Sequence, residues 1–342
     1  MTATDQKLVT LQIDDKEVSV PAGTLLWHAA RSVGVDIPIF CYHAKMPPLG
    51  ACRMCLVEIE KMPKLQTACT TPVADGMIVR TTSEKTQAAQ DSVLEFLLIN
   101  HPLDCPICDK GGECPLQDQT YKWGPASSRF QEPKMKWPKP LPLSENILLD
   151  RERCIMCFRC VRFQSELADD ESLTVLNRGT RSEIGLAPGR TFDSPFSGNT
   201  IELCPVGALT SARYRFRSRP WDLKVTPSVC GLCSVGCNVA LSVRKENDVL
   251  TRVTSRENLA VDDGWLCDRG RFGYDFANSE DRIATPMIRR EGELQPATYE
   301  EALAEAARLI TTASRAARSA VSLPPARQTR SCTYSASSFE RR

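Results

Sequence analysis

Fifteen cysteines and one histidine within the first 267 residues fall into four groups whose spacing suits metal clusters. Cys-x2-Cys occurs five times, with two of the pairs sharing Cys157. Thiolates two residues apart on a turn converge on one ion or cluster, whereas disulfide partners seldom sit so close in sequence. The opening MTATDQKLVT has no apolar signal core, so a reducing compartment is expected, where such patterns are metal sites rather than a disulfide framework.

The first set is Cys41, Cys52, Cys55 and Cys69, spaced C-x10-C-x2-C-x13-C. Three thiols in one loop with the fourth returned by the fold is the arrangement of plant-type ferredoxins, with a longer first gap, and suits a 2Fe-2S cluster. Small Gly50 and Ala51 would let backbone N–H groups approach the sulfurs. A structural zinc site is the alternative. The second set has only Cys105, Cys108 and Cys114, one donor short of four. His101 is the nearest candidate, with a cap or packed side chain at the helix end as the alternative, and imidazole in place of thiolate should raise the local potential. Gly111-Gly112 lets that loop turn back toward Cys114. His28 and His43 are read as structural or surface residues.

The third set, Cys154, Cys157, Cys160 and Cys204, is half of a two-cluster pattern. Bacterial ferredoxins repeat C-x2-C-x2-C-x3-C-P, each fourth cysteine serving the other cluster. Here CIMCFRCVRFQ keeps three cysteines but has Gln164 at the fourth position. Counting back from Cys204-Pro205, the partner run has Ser194, Ser197 and Thr200 where cysteines would stand. One cluster keeps every ligand and its twin keeps none, so a single 4Fe-4S cluster is expected. The fourth set, Cys230, Cys233, Cys237 and Cys267, suits another 4Fe-4S cluster, with a zinc ribbon as the competitor. Gly231 and Gly236 ease its loop, and Leu232 and Val235 should limit water access. Cys332 is left over as an unliganded thiol.

The elements that position these sets can be read in outline. LVTLQI and EVSV form two strands joined at Asp14-Asp15-Lys16, and Thr24 should N-cap a helix with the apolar face Leu25, Leu26, Ala29, Ala30 and Val33. A second helix over about 86–100 carries the stripe Val93, Phe96 and Leu97 and stops at His101-Pro102. Residues 125–146 hold five prolines and read as a linker or extended strap. A helix begins at Tyr299, and beyond about Ala320 the chain is Ser-, Arg- and Pro-rich, the composition of a disordered tail. With 43 Lys and Arg against 42 Asp and Glu, no basic field for nucleic acid exists, so the expected partners are proteins. No apolar run reaches the roughly 20 residues of a membrane span.

The order of the sets, with HPLDCPICDKGGECPLQD and CIMCFRC, resembles the large iron-sulfur G subunit of bacterial NADH-quinone oxidoreductase, respiratory complex I, over about residues 8–310. The resemblance implies an α+β chain. Its parts would be a ubiquitin-like β-grasp 2Fe-2S ferredoxin domain (1–84), a helical 4Fe-4S domain with one His and three Cys ligands (85–124), a linker (125–146) and a 4Fe-4S ferredoxin-like domain (147–222). The 4Fe-4S domain of molybdopterin oxidoreductases (223–280), the start of a truncated large domain (281–320) and an irregular tail (321–342) would follow. It also implies one 2Fe-2S and three 4Fe-4S clusters on the sixteen ligands named above, with no catalytic acid, base or nucleophile. Electrons would pass from an NADH/FMN-binding partner subunit toward quinone, with other peripheral-arm subunits as neighbours. The fourth cluster would lie off the main path. The subunit would be cytoplasmic, reaching the inner membrane only through its complex. No GxGxxG motif occurs, so nicotinamide would bind elsewhere. Too few residues follow Tyr299 to enclose a molybdopterin, and a truncated or frameshifted product ending its native frame near Ala320 is expected. The rival expectations are an electron-transfer subunit of an NAD-linked formate dehydrogenase or hydrogenase, and a zinc-bound structural scaffold.

Overall fold

The computed structural model describes residues 7–315, which divide after Leu223 into two compact units. In the first unit, alternation builds the sheet. β1 (Leu8–Ile13) buries Val9, Leu11 and Ile13 while its other positions face outward. It pairs antiparallel with β2 (Lys16–Pro21) across a tight turn in which Asp14 takes φ +52°, a conformation Asp tolerates. The Asp14 carboxylate then accepts bonds from the Thr81 N–H and hydroxyl, both 2.7 Å.

α1 (Leu26–Ser32) buries Leu26, Ala29 and Ala30 as its periodicity requires. Thr24 is not its cap. The cap position is Leu25, without a side-chain bond, because the Thr24 hydroxyl donates to the Pro21 carbonyl at 2.7 Å. β3 (Leu56–Ile59), β4 (Gln66–Thr67) and β5 (Ile78–Arg80) complete a mixed sheet in the order β2-β1-β5-β3-β4, with β1 and β5 parallel. The Cys41–Cys55 loop lies between α1 and β3, and Cys69 follows β4.

α2 (Glu84–Leu98) is capped by Ser83, whose hydroxyl accepts from the Thr86 N–H. Its buried line is Thr86, Gln90 and Leu94, at i, i+4 and i+8, because Gln90 donates to the Leu56 carbonyl and that face packs on β3. The expected stripe through Phe96 is therefore turned outward, and Phe96 is 73% exposed. α3 (Pro115–Trp123) packs against α2.

The proline-rich segment runs as a strap that is tied down along its length. Lys134 donates to the Leu98 and Ile99 carbonyls, and the Trp137 N–H donates to Glu152. The strap enters β6 (Leu141–Pro142), which pairs with β7 (Ile147–Leu149). α4 (Arg159–Glu166), the hairpin β8 (Leu173–Leu176) and β9 (Glu183–Leu186), and α5 (Asn199–Leu203) follow. β10 (Leu209–Ser211) then returns to β7, giving the sheet β10-β7-β6.

The second unit is built on the sheet β11 (Leu223–Val229), β12 (Asn238–Arg244) and β13 (Leu250–Ser255), whose core joins Val239 and Val253 to Leu266 and Tyr274. α6 (Asp268–Phe272), the hairpin β14 (Met287–Arg290) and β15 (Glu293–Pro296), and α7 (Tyr299–Arg315) complete it. Thr298 and Glu301 close a reciprocal capping box at the start of α7. Cys332 and the tail beyond Ala320 lie outside the described residues.

Candidate metal centres

The first set meets in the loop between α1 and β3. Cys41, Cys55 and Cys69 are fully buried, and Cys52 is partly covered. The Cys41 N–H points at the Cys52 sulfur (3.4 Å), and the Cys52 N–H points at the Cys41 sulfur (3.5 Å). Neighbouring sulfurs bond one another: hydrogen bonds from Cys52 and Cys69 pull the Cys41 thiol down, and one from Cys69 pulls Cys55 down. Their donors Cys52 and Cys69 are pushed up. Four crowded sulfurs, two of them pulled toward the thiolate, are the donor set a positively charged iron centre would satisfy. Ala51 contributes its N–H to Cys41. Gly50 acts differently from expectation: it takes φ +67° and faces the Thr70 methyl, 3.1 Å from where a Cβ would stand. His28 is tied to the Tyr42 hydroxyl (2.6 Å), and His43 accepts from the Lys45 N–H.

The second set lines one cavity of about 600 Å³. His101, Cys105, Cys108 and Cys114 all border it, with Leu98, Leu116, Arg153 and Gly207. His101 follows the end of α2, and Cys114 stands at the N-cap of α3, where burial pushes its thiol pKa up while the Gln117 and Leu116 N–H groups pull against it. Burial, with the nearby Arg153 and Lys134 charges, lowers the His101 pKa to about 4, so the ring is neutral at physiological pH. Its Nδ1 is buried without a hydrogen-bond partner, an orphan that suits a histidine in a ligand role. The glycines here are close-approach positions. A Cβ on Gly111 would sit 2.8 Å from the Cys105 carbonyl, and one on Gly112, at φ +90°, 2.7 Å from the Trp221 ring. Gly207, which lies outside every spacing motif, is tighter still: its Cβ would fall 2.1 Å from the Cys108 sulfur.

The third set lines a single enclosed pocket with Leu149, Ile155, Phe158, Ile184, Val206 and Leu209. Met156 and Phe158 take φ +51° and +62°, and these two left-handed steps fold the Cys154–Cys160 run back on itself before α4 begins. Burial raises the pKa values of Cys154, Cys157 and Cys160, that of Cys154 to about 12, so thiolates there need a strong cationic partner. The four positions where the two-cluster pattern would place cysteine are all buried: Gln164 on α4, and Ser194, Ser197 and Thr200, joined by turns leading into α5. Neither amide atom of Gln164 has a partner.

A charged knot lies beside the second and third sets. Lys139 meets Asp104 (2.6 Å), Glu152 (2.5 Å) and Asp150 (3.5 Å), and Arg153 pairs with Asp104 and Asp150. Its trace in the sequence is the DRER run before Cys154, where alternating charges give no hint of which partners they meet.

In the second unit, Cys267 caps α6, and its sulfur accepts from the Gly270 N–H at 3.4 Å. A Cβ on Gly270 would come within 3.4 Å of the Cys230 sulfur. Burial first, then the charge of Asp262 and those of Cys267, Cys230 and Cys233, raise the Cys237 pKa, so all four sulfurs share one neighbourhood. Val235 does not shield them. It is 57% exposed, because the left-handed Gly236 turns the loop so that 235 points out, and Leu266 and Phe272 are buried instead. The fifteen described cysteines are all free thiols. Among the described residues no three His, Cys, Asp or Glu side chains converge at single-ion distances, and no helix is long and apolar enough to cross a membrane.

Four domain families match along the chain. A 2Fe-2S iron-sulfur cluster binding domain covers residues 6–84, and the NADH-ubiquinone oxidoreductase-G iron-sulfur binding region covers 90–129. The ferredoxin-like domain of NADH-quinone oxidoreductase subunit 3 covers 144–210, and the molybdopterin oxidoreductase Fe4S4 domain covers 223–279. With the thiol groupings, these define a mixed α/β protein carrying 2Fe-2S and 4Fe-4S binding domains in series. The NADH-quinone oxidoreductase G subunit from Streptomyces coelicolor is 51% identical over 305 residues, 88% of this chain and 36% of the relative. Subunit 3 from Thermus thermophilus is 42% identical, over 86% of this chain and 42% of its own length. The mitochondrial 78 kDa subunit of NADH-ubiquinone oxidoreductase from Neurospora crassa is 45% identical, over 89% and 41%. A crystal structure of NAD+-reducing [NiFe]-hydrogenase is 30% identical with a TM-score of 0.54, covering 61% of this chain and 90% of that one. The chain belongs to the family of the iron-sulfur G subunit, or subunit 3, of NADH-quinone oxidoreductases, and spans about two fifths of the length of these curated relatives.

Proposed function

We propose that the chain is an iron-sulfur electron-transfer subunit of an NADH-quinone oxidoreductase. It would take electrons from an NADH/FMN-binding partner and pass them toward quinone at the cytoplasmic face of the inner membrane. The observation that carries the reading is the lining of one cavity by His101, Cys105, Cys108 and Cys114, within a region matching the family's own iron-sulfur segment. Cys41, Cys52, Cys55 and Cys69 would hold a 2Fe-2S cluster. The His101 set, the Cys154, Cys157, Cys160 and Cys204 set, and the Cys230, Cys233, Cys237 and Cys267 set would each hold a 4Fe-4S cluster. When bound, such clusters supply one-electron transfer at potentials between about −700 and +450 mV. The protein's own part is to orient the sulfurs with backbone N–H groups, keep His101 neutral, and wall the third site with Leu149, Ile184 and Leu209 against water.

The hydrogenase likeness supports a second reading, a diaphorase-type subunit. The fourth cysteine set argues against it, since the Fe4S4 domain at 223–279 adds a site such subunits are expected to lack. Iron and acid-labile sulfide analysis of anaerobically purified protein tests the proposal. About fourteen irons per chain supports it, and stoichiometric zinc without sulfide overturns it. His101→Ala should alter one 4Fe-4S signal in electron paramagnetic resonance, and four unchanged signals would remove His101 from the ligand set.

A further inference from the structure

Arg159, between the first and third cluster sites, has no carboxylate partner among the described residues. Arg153 pairs with Asp104 and Asp150, Lys139 with three carboxylates, and Arg162 with Glu166. The Arg159 guanidinium donates to the Tyr42 carbonyl, next to Cys41, and to the Leu203 carbonyl (3.5 Å), next to Cys204. Its Nε is sealed from solvent with no partner. The charged neighbours that act on it are sulfurs from two sets: Cys157 and Cys204 of the third, Cys41 and Cys52 of the first. Withdrawing a cation from water without a counterion is unfavourable, and a carbonyl dipole only partly offsets the loss. A tetrathiolate iron-sulfur centre is anionic, and it grows more so on reduction.

We propose that Arg159 is the shared counter-cation of the first and third cluster sites, a positioning residue that holds both reduction potentials up and joins the Cys41 loop to α4. Arg162 supports the same junction, donating to the Pro47 carbonyl from the next turn of α4. The inference rests on the cluster assignment proposed above.

The test is a redox titration of the full chain followed by electron paramagnetic resonance. The third-set signal is identified by its loss in Cys157→Ala, and the 2Fe-2S signal by its persistence at higher temperature. Wild-type protein is measured first, since absence of iron-sulfur signals there refutes the cluster reading itself before any variant is made. In Arg159→Gln, both signals should need a more negative potential. At a fixed ambient potential the reduced-to-oxidised ratio should fall at least about tenfold, equivalent to 59 mV for one electron. The second- and fourth-set signals should stay in place. Both signals present and unmoved, or a shift confined to one, overturns the proposal. If Arg159→Gln fails to hold its clusters, Arg159→Lys decides. Retained charge should return both signals at near wild-type potentials, and failure of lysine to do so overturns the assignment.

Discussion

Gly207→Ala tests the second site at the level of one methyl group. The new Cβ would stand 2.1 Å from the Cys108 sulfur, with the Arg153 Cδ and Lys110 Cβ each 3.5 Å away. Ordinary contact begins near 3.5 Å, so sulfur and methyl overlap by about 1.4 Å. A free thiol would swing aside, at a cost of about 1 kcal/mol for an imperfect rotamer. A sulfur fixed on iron cannot swing without leaving it, so the bound form carries the upper part of the overpacking range, about 3 kcal/mol. Subtracting the free thiol's cost leaves about 2 kcal/mol, a roughly 30-fold loss of cluster affinity at tenfold per 1.4 kcal/mol. That lies within the ~10–100-fold cost typical of changes around the ligands of a metal site. Wild type and variant would be challenged with a ferrous chelator under anaerobic conditions while the resonance signals are followed. The second-set signal should decay much faster in the variant, with the other three as internal controls. Equal decay would show that Cys108 moves freely, and the ligand assignment would fall.

Two other perturbations probe the surroundings. Restoring cysteine at Gln164, Ser194, Ser197 and Thr200 together should rebuild the twin site and raise iron by about four per chain, since these positions are already buried. No gain in iron would break the register argument. Lys139→Met leaves Glu152, whose side chain is only 2% exposed, without its cation, and should cost about 3 kcal/mol, read as a fall of several degrees in the melting midpoint at pH 7. Burial pushes the Glu152 pKa up, but the Lys139 bond and the Trp137 N–H together hold it below its ordinary value. The stability linked to this depressed pKa is present at neutral pH and lost as pH falls through it. The gap between wild type and variant should therefore close below about pH 4. Equal midpoints at pH 7 would mean that the knot contributes nothing.

Much of the chemistry was legible without coordinates because it is local. Thiolate pairs two residues apart must share a neighbourhood, the turn expected at Asp14-Asp15-Lys16 joins β1 to β2, and the helix expected from Tyr299 is α7. The shortage of one donor pointed to His101, and the cavity brings that ring beside Cys105, Cys108 and Cys114. Where several faces of one element were available, the pattern misled. Phe96 looked like core and is exposed, since Gln90 claims the sheet-facing side of α2 by bonding to Leu56. Val235 looked like a shield and points outward.

The sequence by itself determined how the cysteines are grouped, and that Gln164, Ser194, Ser197 and Thr200 stand where a two-cluster ferredoxin pattern places cysteine. Only the tertiary structure decided what surrounds them. Gly207 reaches Cys108 across 99 positions, and Arg159 reaches the Tyr42 carbonyl across 117. Such contacts leave no periodic trace, because they depend on how separate loops pack together rather than on the spacing within any one of them.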